Sequence, residues 1–274
     1  SPNLIGGFSG NTVTSGVYGA AIGGGGVSGG GNRVTDDYGT VGGGRNNQAG
    51  DNEGTTSDRC YATVGGGYTN TASGPLSTVG GGGSNTASGY YATVGGGGGN
   101  TASGYFPTVG GGQNNTASGQ YSTIPGGNGG KATLYGQMAY ASGSFSSIGD
   151  AQTSTYVLRR ITSDANPTPL YLDGAGTRLT IANNRTMTFD ILVVGRSSGG
   201  DSAGYHVRGV IENSGGTTSF VGTPTVTTLG EDTASWNVAV EADDTNNALV
   251  VKVTGEAGKA IRWVATVRTV EVEY

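Results

Sequence analysis

Apolar residues return every 15 positions between residues 64 and 124. Val64, Val79, Val94, Val109 and Ile124 each follow a threonine (Thr63, Thr78, Thr93, Thr108, Thr123). The first four open a glycine triplet, and Ile124 opens Pro-Gly-Gly. Six residues after each of the four valines comes Asn-Thr-Ala-Ser-Gly, at Asn70, Asn85, Asn100 and Asn115. The residues just before each Val/Ile alternate, which is the strand signal, because successive side chains point to opposite faces. One face takes Tyr61, Leu76, Tyr91, Phe106 and Tyr121, then the Thr column. The other takes Ala62, Ser77, Ala92, Pro107 and Ser122, then the Val/Ile column. A 15-residue period is too short for a helix pair or a propeller blade, which need about 34 to 45 residues. It suits one rung of a parallel β-solenoid, with two short strands and two tight turns.

The register extends outward with insertions. Ile5, Ile22 and Val41 start similar glycine turns, and Asn11 and Asn47 sit six residues after Ile5 and Val41. The turn from Ile22 carries extra residues before Asn32, and the turn from Val41 carries an excursion over about 51–60; Ile148 ends a degenerate last turn. Solenoids tolerate such insertions at a turn without disturbing the stack. The small-plus-Val face is the candidate interior, and the Asn column is expected in left-handed turn geometry with its amides laddered. Each rung buries few apolar atoms at about 25 cal/mol per Å², against a backbone ordering cost of about 1–2 kcal/mol per residue. The Tyr61, Leu76, Tyr91, Phe106, Tyr121 column would be an exposed apolar ridge on a monomer. A parallel homotrimer that packs these ridges together is therefore expected.

Composition divides the chain near Ser154, giving a repeat shaft at 1–153 and a second domain at 154–274. Only 13 of the 57 glycines follow that point, 23 of the 33 charged residues do, and no charged residue lies between Cys60 and Gly130. The strict register argues against a flexible linker. A net charge of −5 gives no basic footprint for nucleic acid. No apolar run approaches the ~20 residues of a membrane-spanning helix. Neither nucleic acid nor membrane insertion is an expected partner. The chain opens Ser-Pro-Asn, which reads as a piece of something longer. The single Cys60 excludes an intrachain disulfide and reads as a free thiol, with an interchain bond as the alternative.

After Ser154 β-branched alternation takes over. Strands are expected at 155–162, 170–172, 179–181, 187–196, 204–212, 217–221, 225–229, 234–241, 248–254 and 261–273, separated by turn clusters. Ten short strands without a helix indicate an antiparallel β-sandwich or jelly roll. Catalysis is not expected. His206 is the only histidine, so no triad or zinc site is supported. The carboxylates Asp164, Asp173, Asp190, Glu212, Glu231, Asp232, Asp243 and Asp244 fall mostly in turns, where Asp is a turn former. The Asp243-Asp244 and Glu231-Asp232 pairs lack cation-loop spacing, and neither a metal nor a cofactor is expected. A GGG phosphate loop is not supported, since no Lys-Ser/Thr follows. Sugar-stacking candidates are Trp236, Trp263, Tyr205 and Tyr171, set against core packing for the two tryptophans.

The stretch TVGGGGSNTASGYYATVGGG resembles the head repeats of trimeric autotransporter adhesins, which also occur in phage tail-fibre proteins. The segment YGQMAYASGSF…GDAQTSTYVLRR…SDANPTPLYLDG resembles the region downstream of such repeats in phage and prophage fibre proteins. The resemblance covers roughly residues 5–175. It implies a left-handed trimeric β-roll used for attachment and a place in the virion tail, outside the cell. A host cell-surface glycan or protein receptor would be the target, with other tail proteins bound through whatever precedes Ser1. The departures are the long glycine runs, the 51–60 excursion, and the lack of a coiled-coil stalk or membrane anchor within this chain. A bacterial surface adhesin is the alternative reading, and a glycan-depolymerising tailspike the second.

Overall fold

The computed structural model describes residues 2–274, and among them there are strands and turns but no helix. The chain forms two compact units. One comprises the residues up to Thr133 together with Met138–Gly149; the other comprises Leu134–Gln137 and Asp150–Tyr274.

The first unit is a parallel β-solenoid of about nine turns. One sheet stacks Leu4–Ile5, Ala21–Ile22, Thr40–Val41, Thr63–Val64, Thr78–Val79, Thr93–Val94, Thr108–Val109, Thr123–Ile124 and Met138–Ser142. The other runs from Thr12–Val13 to Lys131–Ala132. The register is the sequence period itself, with Val79 beside Val94 and Val94 beside Val109. The Val/Ile column from Ile22 to Ile124 and the alanines of the opposite sheet are fully buried. Ile148 is exposed, and Ala139 fills the ninth interior position after Met138 pairs with Thr123.

The asparagines bond each rung to the next, in a way their spacing does not indicate. Asn85 donates from Nδ2 to Gly81 O in its own rung and to Gly97 O in the next, both at 2.9 Å. Its Oδ1 accepts the Asn100 N–H at 3.0 Å. Asn11, Asn32, Asn47, Asn70, Asn100 and Asn115 repeat this pattern. The amides thus bond backbone rather than one another. The left-handed residue is the preceding one: Asn46, Thr69, Ser84, Gly99 or Asn114.

The Tyr/Leu/Phe column also departs from the alternation. The strands are two residues long, and Tyr38, Tyr61, Leu76, Tyr91, Phe106 and Tyr121 sit at the next corner with φ of 54–64°. In the glycine turns, a Cβ on Gly95 would lie 2.4 Å from Gly110 O, whereas one on Gly81 would meet nothing within 4 Å.

The second unit holds two antiparallel sheets. The larger orders Ala151–Thr162, Ile261–Glu273, Arg185–Ser197 and Ser202–Ser214, with Thr217–Phe220 and Thr225–Glu231 both on the last. The smaller places Ala248–Thr254 between Thr168–Pro169 and Leu179–Thr180, with Asn237–Asp243 also paired to it. Strict alternation in Ile261–Glu273 and Arg185–Ser197 turns one face inward. Both sheets contribute to one buried apolar cluster.

Gly95→Ala should therefore cost about 3 kcal/mol or more, since backbone rather than a mobile side chain must move. Gly81→Ala should change stability by less than about 1 kcal/mol, in the stabilising direction. Denaturant unfolding of the two variants measures the contrast.

Candidate functional site

On the solenoid the exposed feature is the corner ridge. Tyr61, Leu76, Tyr91, Phe106 and Tyr121 are 36–54% exposed. Their rings stack along the rungs at the spacing the strands impose. Tyr38–Tyr61 centroids lie 4.9 Å apart, Tyr91–Phe106 4.8 Å and Phe106–Tyr121 5.4 Å, all near parallel. A second file, which the column pattern does not single out, lies beside it: Tyr90 stacks on Tyr105 at 5.1 Å and meets Tyr91 edge-on. The doublets Tyr90-Tyr91 and Tyr105-Phe106 are its signal in the sequence. A bulky side chain with positive φ costs about 1–3 kcal/mol. At the ends of the file the same corner is glycine, Gly19 and Gly136, at φ 68° and 64°. The middle rungs use large apolar residues where glycine would be free of strain.

The four sugar-stacking candidates separate. Trp236, Trp263 and Tyr205 are core residues, 1–2% exposed, so none offers a ring face to a ligand. The two indoles pack edge-to-face at 5.4 Å. Their polar tips are spent inside the unit. Trp263 Nε1 donates to Thr162 Oγ1 at 3.0 Å, and the Tyr205 hydroxyl donates to Glu231 at 2.9 Å. Alternating strands carry large aromatics on the inward face, and the sequence alone does not say which face that is.

Tyr171 is different. It is partly exposed, with the Arg160 and Arg178 guanidinium carbons 5.4 and 5.8 Å from its ring centre. It bridges to Arg159 on the long strand Ala151–Thr162. Its neighbours Arg159, Arg160, Asp173, Gly174 and Ala175 line a cleft of about 320 Å³ together with Arg262, Ile161, Val264 and the buried Trp263; Tyr171 itself is not part of that lining. Arg159 and Arg160 are braced by the carbonyls of Leu172, Asp173, Gly174 and Ala175. Burial would raise the Asp173 carboxyl, but three backbone N–H groups and the Thr177 hydroxyl hold it far below the usual range. Asp173 is thus a permanently charged turn former, and the surplus charge of the cleft is positive.

The remaining acidic candidates are also mostly structural. Asp164, Asp232, Asp243 and Asp244 accept backbone N–H groups. Asp190 lies 2.5 Å from His206 Nε2 across neighbouring strands. Asp190, Leu192, Thr266 and Arg268 line a small depression of about 100 Å³.

No protein-family model matches the chain, and no match is found among curated proteins. Among solved structures the chain is similar to the tailspike protein gp49 of Acinetobacter baumannii bacteriophage Fri1, a capsular polysaccharide depolymerase. Identity is 8%, the TM-score is 0.26, and 97% of this chain aligns with 61% of that one. It is also similar to the tailspike of Acinetobacter phage vB_ApiP_P1, at 10% identity and TM-score 0.25, over 93% of this chain and 56% of that one. The chain thus spans less than two thirds of either tailspike. The expectation of a non-enzymatic chain is corrected by this finding, because the Fri1 tailspike is itself a depolymerase. The single histidine is no bar, since glycosidic bonds are also broken by carboxylates.

Trp263→Ala should lower stability by about 3–5 kcal/mol, the cost of emptying a core aromatic site. Tyr171→Ala should cost less than half of that, and paired thermal melts distinguish the two placements.

Proposed function

We propose that the chain is a receptor-binding part of a phage tail fibre or tailspike: a homotrimeric β-roll shaft carrying a β-sandwich that holds an acidic host-surface glycan. The observation that carries this reading is the corner ridge. Six consecutive rungs accept positive-φ strain to present stacked apolar rings, and burial between three copies offsets that strain at about 25 cal/mol per Å². The second unit supports the same assembly. The outer face of its large sheet exposes Leu192, Val194, Val264, Val270 and Val272, more apolar surface than a solitary sheet normally shows water. The resemblance of residues 5–175 to adhesin-head repeats and to the segment that follows them in phage fibre proteins supports the same reading.

The glycan is taken to be acidic because Arg159, Arg160 and Arg262 line one cleft, and Tyr171, stacked against the Arg160 and Arg178 guanidiniums, helps to hold that positive charge in place, in a chain whose net charge is −5. Three weak sites on one rod give avidity about 10²–10⁴ above a single site.

The test is the double variant Tyr91→Asn, Phe106→Asn. Asparagine tolerates the left-handed corner and removes the apolar bulk. The expected product is a folded lone chain by light scattering, with binding to immobilised anionic capsular polysaccharide at least ~100-fold weaker. Wild type that is monomeric at micromolar concentration would end the trimer reading. Tyr171→Ala in the trimer should weaken binding without changing its mass.

A second reading adds cleavage, the activity class of the Fri1 tailspike. It is favoured by the Asp190–His206 pair beside Arg268. In a uronate chain, His206 would take the proton α to the carboxylate while Arg268 neutralises that carboxylate. The electron pair left behind forms the sugar double bond as the glycosidic C–O bond breaks, and the departing oxygen takes up a proton. His206→Ala should abolish the ultraviolet-absorbing unsaturated product and leave binding intact; product release by that variant would remove His206 from the reaction.

A further inference from the structure

All five acidic residues between positions 2 and 149 fall at one place, where the 51–60 excursion leaves the solenoid: Asp36, Asp37, Asp51, Glu53 and Asp58. Asp36, Asp51 and Asp58 each bring a carboxylate oxygen to within 4.8 Å of the other two. Asp36 is 1% exposed. Its Oδ2 is committed, accepting from Thr35 Oγ1 at 2.9 Å and from the Asp51 N–H at 3.1 Å. Its Oδ1 is buried and has no hydrogen-bond partner. Only one other buried side-chain atom among the described residues shares that state, the hydroxyl of Ser77. A hydroxyl left unpaired costs far less than one arm of a carboxylate.

We propose that this corner binds a hard divalent cation of the Ca²⁺ class, with Asp36, Asp51 and Asp58 as its side-chain ligands. The donor set is oxygen only, which selects hard cations over zinc or copper. Two oxygens at about 2.3–2.6 Å from Ca²⁺ span up to about 4.6–5.2 Å, so three oxygens within 4.8 Å of one another fit Ca²⁺ without rearrangement. Its tolerance of irregular ligand geometry favours it over Mg²⁺, which demands a near-ideal octahedron.

Arg59 already places positive charge here, with Nε 3.0 Å from Asp51 and 3.8 Å from Asp58. Its guanidinium leaves two of the three negative charges uncompensated and pairs with Asp51 and Asp58, not with Asp36. Its side chain is 42% exposed and free to swing into water. Desolvation pushes the Asp36 carboxyl above its ordinary range, with Asp51 adding to it against the Thr35 hydroxyl and the Asp51 and Arg59 amides. A bound cation would tie the excursion to the rung at Asp36.

The test uses the full chain after chelator treatment, with Ca²⁺, Mg²⁺ and Tb³⁺ as probes. Calorimetry should give one Ca²⁺ per chain with Kd in the range of about 10⁻⁵–10⁻³ M, and Mg²⁺ at least ~10-fold weaker. Tb³⁺ should show luminescence sensitised by Tyr38 and Tyr61, which flank the acidic residues in sequence. Asp58→Asn, a substitution at an exposed residue, should weaken Ca²⁺ about 10-fold or more, and Asp36→Asn should abolish the site. Arg59→Gln removes a competitor and should tighten Ca²⁺ binding, whereas a purely structural ion pair predicts no gain. No heat and no terbium signal at 10-fold above the expected Kd would overturn the proposal. Binding that Asp58→Asn and Arg59→Gln both leave unchanged would do so as well.

Discussion

The amide of the repeat asparagine is the interaction on which a 15-residue rung depends. A rung this small has almost no apolar interior beyond one Val and two small side chains, so the buried amide that completes it has to find its partners among the turn carbonyls. Asn85 satisfies a carbonyl of its own rung, a carbonyl of the next, and the N–H of the next asparagine. Each bond crosses or braces the rung boundary, and the asparagine side chain itself is fully buried, where an unpaired polar group costs about 1–3 kcal/mol. Close approach of the glycine turns comes from the same contact. The amide reaches both carbonyls only when successive turns lie at strand spacing, which a Cβ on Gly80, Gly95 or Gly110 would prevent.

That constraint decides where the chain is free to vary. At the asparagine corner the first glycine of each turn admits no Cβ, and bulk such as Arg45 or Tyr68 appears only where the turn faces outward. The opposite corner lies outside the ladder, so it accepts Tyr, Leu or Phe, and the excursion at 51–60 leaves from this side of the rung. Ring stacking at 4.8–5.4 Å is the strand spacing carried outward by the left-handed residue. The ridge is thus a consequence of register, and only its chemistry was open to selection.

The period, the buried Val/Ile column and the small-residue column were legible in the sequence because each repeats once per rung. Most strand positions after Ser154 were legible from alternation, although Arg185–Ser197 and Ser202–Ser214 run longer than their apolar cores suggest. The strand expected at 170–172 forms instead at Thr168–Pro169, and Trp236 falls just before the strand Asn237–Asp243. The corner conformation was not legible. Tyr-Ala-Thr-Val alternates like a strand whether or not its first residue has positive φ. Nor was the inward side of Trp236 and Trp263, since alternation defines two faces without ranking them. The acidic corner was hidden for another reason. Asp36 and Asp58 are 22 residues apart, and only the stacking of one rung on the next brings them together. The Tyr171 cleft likewise arises from a bridge between Arg159 and Tyr171 that no local pattern announces.

Charge separates the tasks of the two units. Between Cys60 and Gly130 the solenoid presents Thr, Ser, Gly and aromatic rings without one ionised side chain. Such a surface has no long-range field with which to attract a charged partner, and it stays indifferent to salt. The proposed recognition of an acidic polymer is therefore assigned to the second unit, where arginines are braced by backbone carbonyls and held beside Tyr171. Bracing matters because a guanidinium already fixed loses less freedom when a ligand arrives. In the proposed trimer the uncharged middle rungs of the solenoid and a preorganised cleft divide the work between copies and sites: the ridge sets how many clefts act together, and the cleft sets what they hold.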